Sequence, residues 1–226
     1  MNDKQLVALQ AAKYVKNGML VGLGTGSTAN YFIEELARCQ QEEGLKITTV
    51  ASSTISAQKA QSLQLPIVAL EHISSIDLYV DGADEIDPQM TLLKGRGSDL
   101  VKEKLLAKAA TQFIAVADES KLVSHIGQNF VIPIEVIPFA WQLTKKSLEA
   151  IGGQGDLRPN AAKDGFWVTS HGSYVLDMKF DQSLTTKVLN DLISNTPGVV
   201  EHGIFYDLTD AVFIAANGIV NERWFK

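Results

Sequence analysis

The sequence predicts an α/β protein, and three observations support that fold class. Helix and strand signals alternate over the first half of the chain, and the strands are short apolar runs, as a parallel sheet covered on both faces requires. From residue 131 to 205 the order changes to βαββαβ, the split-βαβ sandwich. A last apolar strand at 211–215 is expected to return to the first sheet. We therefore predict a Rossmann-like parallel sheet domain over 1–129 and 205–226, with an inserted smaller ferredoxin-like α+β domain over 130–204.

The elements of the first domain follow from the spacing of apolar residues. Apolar positions at intervals of three and four predict helices, and short runs of apolar and β-branched residues predict strands. In chain order the pattern predicts a helix at 3–16, a strand at 19–23, a helix at 27–40, a strand at 47–51, a helix at 54–64, apolar runs at 67–70 and 78–80, a strand-like run at 90–94, a helix at 99–110 and a strand at 113–117.

The second domain is predicted in the same way. Its elements are a strand at 131–136, a helix at 141–151, a hairpin of 166–169 with 173–178 around His171-Gly172, a helix at 184–193 and a strand at 199–205. The stretch Gly152-Gly-Gln-Gly155 is predicted to be the most flexible loop, because glycine and polar residues dominate it.

Composition excludes several classes of protein. The chain has 226 residues and a formal net charge of −6, without a stripe of lysine and arginine interleaved with aromatic residues, which argues against nucleic acid as a partner. A single cysteine, Cys39, rules out an internal disulfide. The first residues form an amphipathic helix pattern rather than a signal peptide, and no apolar run reaches transmembrane length. We expect a soluble, cytoplasmic protein with no membrane partner.

A glycine turn, GLGTGSTA at 22–29, connects a predicted strand to a predicted helix and is typical of an anion site. It lacks the lysine of a nucleoside triphosphate loop. It does match the dinucleotide pattern G-x-G-x-x-A, but the next strand runs into Ala51-Ser-Ser-Thr54, without the acidic residue that would bind the ribose. The hydroxyls of Thr25, Ser27 and Thr28 suit the oxygens of a phosphate monoester. The alternative is a tight turn in which Ser27 or Thr28 only caps the helix.

An acid-rich loop, VDGADEID at 80–87, follows an apolar strand. Ligands of open α/β sheets bind at the carboxyl ends of the strands, so Asp81 and Asp84 are candidates for chemistry, and Gly82 and Ala83 are small enough for a ligand to approach. The spacing does not match a calcium loop. A magnesium site and a solvated acidic loop remain as alternatives.

A lysine and a glutamate follow in LKGRGSDLVKEK at 93–104. Lys94 ends a strand-like run, a turn with Gly95 and Gly97 comes next, and Ser98 or Asp99 is the expected helix cap. Glu103 falls on the helix face of Leu100, Leu106, Ala107 and Ala110. Partial burial would raise the pKa of this carboxyl toward that of a general base, and the alternative is a glutamate at the edge of the helix.

These motifs, with DESKL at 118–122, IPIEVIPFAW at 132–141 and TPGVVEHGIF at 196–205, resemble in their order the type A ribose-5-phosphate isomerases. The resemblance covers nearly the whole chain. It implies an isomerase of the non-oxidative pentose phosphate pathway that interconverts D-ribose 5-phosphate and D-ribulose 5-phosphate through a cis-enediolate, without a metal or other cofactor. It also implies a homodimer or homotetramer.

The resemblance implies a role for each candidate residue. Glu103 moves the proton between C1 and C2, and Lys94 stabilises the enediolate oxyanion. Asp81 and Asp84 handle hydroxyl protons, and Lys121, with Lys4 as a weaker candidate, pairs with the phosphate. The substrate-binding residues are then Thr25, Gly26, Ser27, Thr28, Gly82, Ala83, Gly95, Arg96, Gly97 and Lys121.

Two stretches depart from the family pattern. The family has a run of glycines after the lysine, whereas Arg96 interrupts that run here; it either points outward or narrows the pocket. The stretch Thr169-Ser-His-Gly-Ser173 replaces the usual Thr-Asp-Asn-Gly-Asn hairpin, where we expect an effect on assembly or hairpin geometry.

Other functions remain as rivals. The four histidines have no spacing typical of metal ligands. A sugar-phosphate sensor would share the glycine turn but would need no proton-transfer residues. An NAD-linked oxidoreductase would need the missing ribose-binding acid.

Overall fold

The computed structural model describes residues 2–97, 99–181 and 183–225. Ser98, one of the two predicted helix caps, lies outside the described residues. The helices are α1 Asp3–Ala12, α2 Ser27–Glu43, α3 Thr54–Ser62, α4 Leu100–Ala109, α5 Trp141–Ala150 and α6 Thr186–Ser194. The strands are β1 Leu20–Leu23, β2 Thr48–Ala51, β3 Ile76–Gly82, β4 Glu85–Ile86, β5 Leu92–Leu93, β6 Ala110–Asp118, β7 Ile132–Val136, β8 Gly153–Leu157, β9 Tyr174–Phe180, β10 Val199–His202, β11 Ile204–Phe205, β12 Ala211–Ala216 and β13 Ile219–Trp224.

The described residues divide into two compact units. The first takes its residues from Met1–Ala83, Lys102–Leu122 and Asp207–Lys226, and the second from Asp84–Val101 and Val123–Tyr206. The segment 84–101 therefore groups with the second unit, although the sequence analysis assigned it to the first domain. The physical reason is strand pairing, because β4 and β11 both pair with β5 in a small antiparallel sheet.

The first unit contains a six-stranded sheet in the order β13-β12-β6-β3-β1-β2. The five strands from β12 to β2 are parallel, and β13 is antiparallel to β12. The predicted parallel sheet and the return of the last apolar strand are confirmed. The sequence analysis missed β13, because this edge strand is largely exposed and lacks an apolar pattern. The core of the first unit includes Phe32, Leu36, Val80, Ile114 and Phe213.

The second unit contains a four-stranded antiparallel sheet in the order β10-β7-β9-β8. Its elements follow each other as β7, α5, β8, β9, α6 and β10. This succession and strand order are those of the predicted ferredoxin-like fold. Its core includes Ile134, Leu148, Leu176, Met178 and Ile193.

The predicted hairpin around His171-Gly172 is wrong in its first strand. On the side away from β7, β9 pairs with β8, which lies in the glycine-rich stretch predicted to be a loop, whereas residues 166–169 contribute single bridges only. Glycine is required here by the close approach of the strands, because a Cβ on Gly155 would lie 2.0 Å from the carbonyl oxygen of Asp177. Composition alone could not distinguish this strand from a flexible loop.

Among the described residues, no helix combines the length and the apolar character that a bilayer span requires.

Candidate active site

Asp81 and the glycine turn form one hydrogen-bonded structure in the first unit. Asp81 is fully buried at the end of β3, and its Oδ1 accepts hydrogen bonds from the backbone N–H groups of Thr25 (2.9 Å) and Gly82 (2.7 Å). The Tyr79 hydroxyl donates to its Oδ2. A Cβ on Gly24 would lie 2.3 Å from Asp81 Cγ, so glycine is required for this contact. The glycine turn and the Asp81 carboxylate are therefore held in a fixed relative position.

Tyr79 donates a hydrogen bond to Asp81, and its pKa responds to the charge of Glu103 as well. Burial raises the pKa of the Tyr79 phenol well above its ordinary value, and the negative charges of Asp81 and Glu103 raise it further. The phenol is therefore protonated near neutral pH and available as a donor. Glu103 is itself only 5% exposed, which agrees with its predicted place on the packed face of α4. The sequence analysis missed Tyr79, although a residue two positions before Asp81 on a strand shares its face.

The start of α2 is not closed by a side chain among the described residues. Its N-cap is Gly26, at φ 110°, and no side-chain hydrogen bond caps the helix within the described part of the chain. Ser27 Oγ instead accepts from Lys4 Nζ at 3.0 Å. Neither Ser27 nor Thr28 is therefore the helix cap considered above. The first N–H groups of any helix have no partner within the helix, and such a helix end favours a bound anion.

Thr25 is held from the other side by serines that follow β2. Its Oγ1 lies 2.8 Å from Ser52 Oγ and donates to Ser53 Oγ at 2.8 Å, while Ser56 Oγ donates to the Gly24 carbonyl at 2.6 Å. The sequence analysis considered this serine stretch only for the absence of a ribose-binding acid. Its hydroxyls fix the conformation of the glycine turn.

Lys4 and Lys121 both act on Asp118 at the end of β6. Burial raises the pKa of Asp118, but hydrogen bonds from Ser120 and the positive charges of Lys121 and Lys4 outweigh burial and hold the pKa below its ordinary value. Since Lys4 also contacts Ser27, one of the two cations that influence Asp118 lies at the start of α2. Lys4, the weaker sequence candidate, has the direct contact to the glycine turn.

Lys94 lies in the second unit, directly after β5. It is only 4% exposed, its backbone N–H donates to the Gly203 carbonyl at 2.9 Å, and its Nζ lies 5.6 Å from the centre of the Phe205 ring. The main chain at Lys94 is therefore fixed by Gly203, the residue that precedes β11. The next residue, Gly95, is also buried.

Asp84 and Arg96 are close together in the second unit. Arg96 Nη1 lies 3.7 Å from Asp84 Oδ1, and its guanidinium carbon lies 3.9 Å from the centre of the Phe130 ring. The Asp84 backbone N–H donates to the Leu93 carbonyl at 2.8 Å. Arg96 is thus a half-exposed cation that contacts a candidate acid and an aromatic ring.

The predicted site residues divide between the two units. Those of the first unit are Thr25, Gly26, Ser27, Thr28, Asp81, Gly82, Ala83, Glu103 and Lys121, and those of the second are Asp84, Lys94, Gly95, Arg96 and Gly97. In the described ranges 2–97, 99–181 and 183–225, no three histidine, cysteine, aspartate or glutamate side chains are grouped as metal ligands would be.

Comparison with known proteins places the chain in a family. The family "Ribose 5-phosphate isomerase A (phosphoriboisomerase A)" matches residues 48–218. The ribose-5-phosphate isomerase A of Thermococcus kodakarensis is 42% identical over 212 residues, which cover 93% of this chain and 93% of that protein. A relative from a Synechococcus strain, with the same name, is 43% identical over 224 residues, covering 97% of this chain and 94% of its own.

Solved structures agree with the sequence relatives. Ribose 5-phosphate isomerase A from Methanocaldococcus jannaschii superimposes with a TM-score of 0.92 at 37% identity and covers 98% of each chain. A D-ribose-5-phosphate isomerase in complex with phospho-erythronic acid gives a TM-score of 0.95 at 36% identity over 100% of each chain. The parallel sheet, the glycine turn with its buried aspartate and these matches together show that the chain belongs to the ribose-5-phosphate isomerase A family.

Proposed function

We propose that this protein interconverts D-ribose 5-phosphate and D-ribulose 5-phosphate by metal-free proton transfer. Family membership supports the reaction, and one observation supports the chemistry: Asp81 and Glu103 are both buried in the first unit, where Asp81 accepts a hydrogen bond from the Tyr79 hydroxyl and the charge of Glu103 helps to raise the pKa of that phenol. An aldose–ketose isomerase needs a carboxylate or similar base to carry a proton between neighbouring carbons.

The phosphate of the substrate is assigned to the start of α2. The uncapped N–H groups, the Thr25-Gly-Ser-Thr28 turn and the cations of Lys4 and Lys121 supply the donors and the positive charge that a phosphate monoester requires. A dinucleotide would need an acid after β2, where Ser52 and Ser53 instead hold Thr25.

The proton transfer is assigned to Glu103. In the open-chain aldose, its carboxylate removes the proton from C2, and the electron pair of that bond forms the C1–C2 double bond of a cis-enediolate while negative charge develops on O1. Return of the proton to C1 gives the ketose. The ammonium of Lys94 stabilises the oxyanion, and a fixed cation needs no reorganisation as this charge develops.

The hydroxyl protons are assigned to Asp81 and Asp84. Ring opening and the exchange of a proton between O1 and O2 each need a group that accepts and returns a proton. Asp81 is held by two backbone donors and Tyr79, while Arg96 lies beside Asp84. Gly82, Ala83, Gly95 and Gly97 are proposed to leave room for the sugar, because they have little or no side chain.

The test is conversion of ribose 5-phosphate to ribulose 5-phosphate by the purified protein in excess EDTA, with unphosphorylated ribose as the control. Turnover of the phosphate ester alone, unaffected by EDTA, supports the proposal. Saturable binding without turnover would favour a sugar-phosphate sensor, and loss of activity in EDTA would refute the metal-free mechanism. Tight binding of a dinucleotide would reopen the oxidoreductase alternative.

We also propose that the protein is a homodimer or homotetramer that works in the cytoplasm. The second unit exposes large apolar side chains, among them Phe139 (91%) and Leu143 (74%), which a second copy would cover. Phosphate esters are charged and do not cross membranes freely, so a substrate of this kind stays inside the cell, which favours the cytoplasm. A Leu143→Glu variant is expected to lower the mass in light scattering, while Ile55→Glu, at an exposed position of the first unit, is the matched control. Unchanged mass in Leu143→Glu would place the interface elsewhere, and cell fractionation tests the location.

A further inference from the structure

Arg158, just after β8, joins two structures of the second unit. Its Nε and Nη2 donate to Asp177 Oδ2 at 2.9 Å and Oδ1 at 2.6 Å, which is a bidentate pair. Its Nη1 donates to the Arg96 carbonyl at 3.1 Å and lies 3.5 Å from the Gly95 carbonyl. One guanidinium thus connects a carboxylate of β9 to the backbone of the turn that follows Lys94.

The arginine itself is firmly placed. Its backbone N–H donates to the Val175 carbonyl at 2.7 Å, and its carbonyl accepts from the Trp167 N–H at 2.8 Å. Its side chain is 14% exposed. Asp177 lies within β9, in register with Pro133 of β7 and Asp156 of β8. The pair is therefore anchored in the four-stranded sheet and can transmit the position of that sheet to the turn.

The Lys94 turn needs support on its far side. Before the turn, the Lys94 N–H is bonded to Gly203, and β5 is paired on both edges. After Lys94, the chain runs through Gly95 and Gly97, which have no side chains to restrict it. Arg158 binds the carbonyl oxygens of this segment, and Asp177 balances its charge.

We infer that the Arg158–Asp177 pair is a positioning device for Lys94. By holding the Gly95 and Arg96 carbonyl oxygens, it fixes the turn and thereby the direction of the Lys94 ammonium. The same contact keeps these carbonyl dipoles directed at Arg158, so that they do not oppose negative charge on a substrate oxygen. The inference rests on the proposed role of Lys94 in stabilising the enediolate, which is where misplacement affects the rate most.

Lysine cannot replace arginine in this arrangement. The planar guanidinium presents donors in a rigid fork and engages the carboxylate with two of its nitrogens while the third reaches the carbonyls. An ammonium group offers one nitrogen, so it loses either the carboxylate or the turn. The Arg158→Lys variant therefore keeps the charge and removes the connection.

The experiment compares Arg158→Lys and Asp177→Asn with Arg38→Lys. Arg38 is a matched control because it makes the same bidentate pair, with Glu35 at 2.9 and 2.6 Å, on the surface of α2. We expect Arg158→Lys to lower kcat for ribose 5-phosphate by about 10- to 100-fold and to change KM by less than about twofold. Asp177→Asn is expected to have a smaller effect of the same kind, and Arg38→Lys to have none.

Ligand binding separates positioning from general damage. Phospho-erythronic acid carries a carboxylate that can mimic the charged oxygens of the enediolate, and inorganic phosphate occupies only the phosphate position. Arg158→Lys should weaken phospho-erythronic acid by about the same factor as kcat and leave the Kd of inorganic phosphate unchanged. Equal weakening of both ligands, or an unchanged kcat in folded Arg158→Lys, would overturn the inference.

Thermal unfolding of each variant establishes that it is folded. If Arg158→Lys does not fold, the kcat and binding ratios of Asp177→Asn decide the question by the same criteria. An inactive wild-type protein would refute the proposed function as a whole, whereas an active wild type with an equally active Arg158→Lys would refute the positioning role alone.

Discussion

Glu135 is a buried carboxylic acid, and its ionisation should control how the free energy of unfolding depends on pH. It lies in β7, is fully buried, and faces Val175 of β9 and Glu201 of β10 in register. Burial raises its pKa to about 7 from the ordinary 4.5. The Val101 N–H and nearby hydroxyl groups favour the charged form, but their effect is smaller than that of burial.

The magnitude follows from the difference in pKa between the folded and unfolded states. At about 1.4 kcal/mol per pH unit, a change from 4.5 to about 7 corresponds to about 3 kcal/mol. The folded protein retains a proton that the unfolded chain releases, so this stabilisation is complete below pH 4.5 and disappears as the pH rises through about 7. The neutral, nearly isosteric Glu135→Gln variant cannot show this dependence.

The assay is urea unfolding of the wild type and Glu135→Gln between pH 4.5 and 8.5. The free energy of unfolding of the variant, relative to the wild type, is expected to rise by about 3 kcal/mol across this range. Glu149→Gln, at an exposed position on α5, is the control and should show no such change. A difference between wild type and Glu135→Gln that is constant with pH would refute the reasoning, because it would mean that Glu135 titrates alike in both states.

Three further predictions concern the site and the fold. Glu103→Gln should lower kcat by about 100- to 10,000-fold while the Kd of phospho-erythronic acid changes little, and near wild-type turnover would refute the assigned base. Arg96→Gly removes a half-exposed cation 3.7 Å from Asp84, so we expect KM to change by up to about fivefold and kcat by less; an equal fall in kcat and kcat/KM would instead place Arg96 in transition-state stabilisation. Gly155→Ala puts a methyl group 2.0 Å from the Asp177 carbonyl oxygen, and urea unfolding should show that the free energy of unfolding falls by about 3 kcal/mol. An unchanged free energy of unfolding would mean that the backbone of β8 can shift away from β9 at little cost.

The elements with strong local signals could be predicted well. The apolar strands β1, β3 and β6 and the helices between them have clear periodicity. The glycine turn follows β1, and Asp81 lies in the last residues of β3. The failures have a common cause. The strand β8 consists of glycine and polar residues, and β13 is an exposed edge, so in both cases pairing with a neighbouring strand outweighs local preference.

The sequence by itself determined the parallel α/β architecture, the ferredoxin-like order and the candidate chemistry, because each depends on residue types at short, regular spacing. The tertiary structure decided which groups meet. The hydrogen bond of Tyr79 to Asp81, the serines around Thr25 and the connection from Asp177 through Arg158 to the Lys94 turn join residues that are distant along the chain or have no distinctive pattern. Such contacts arise from strand order and packing, which bring segments together irrespective of their separation in sequence.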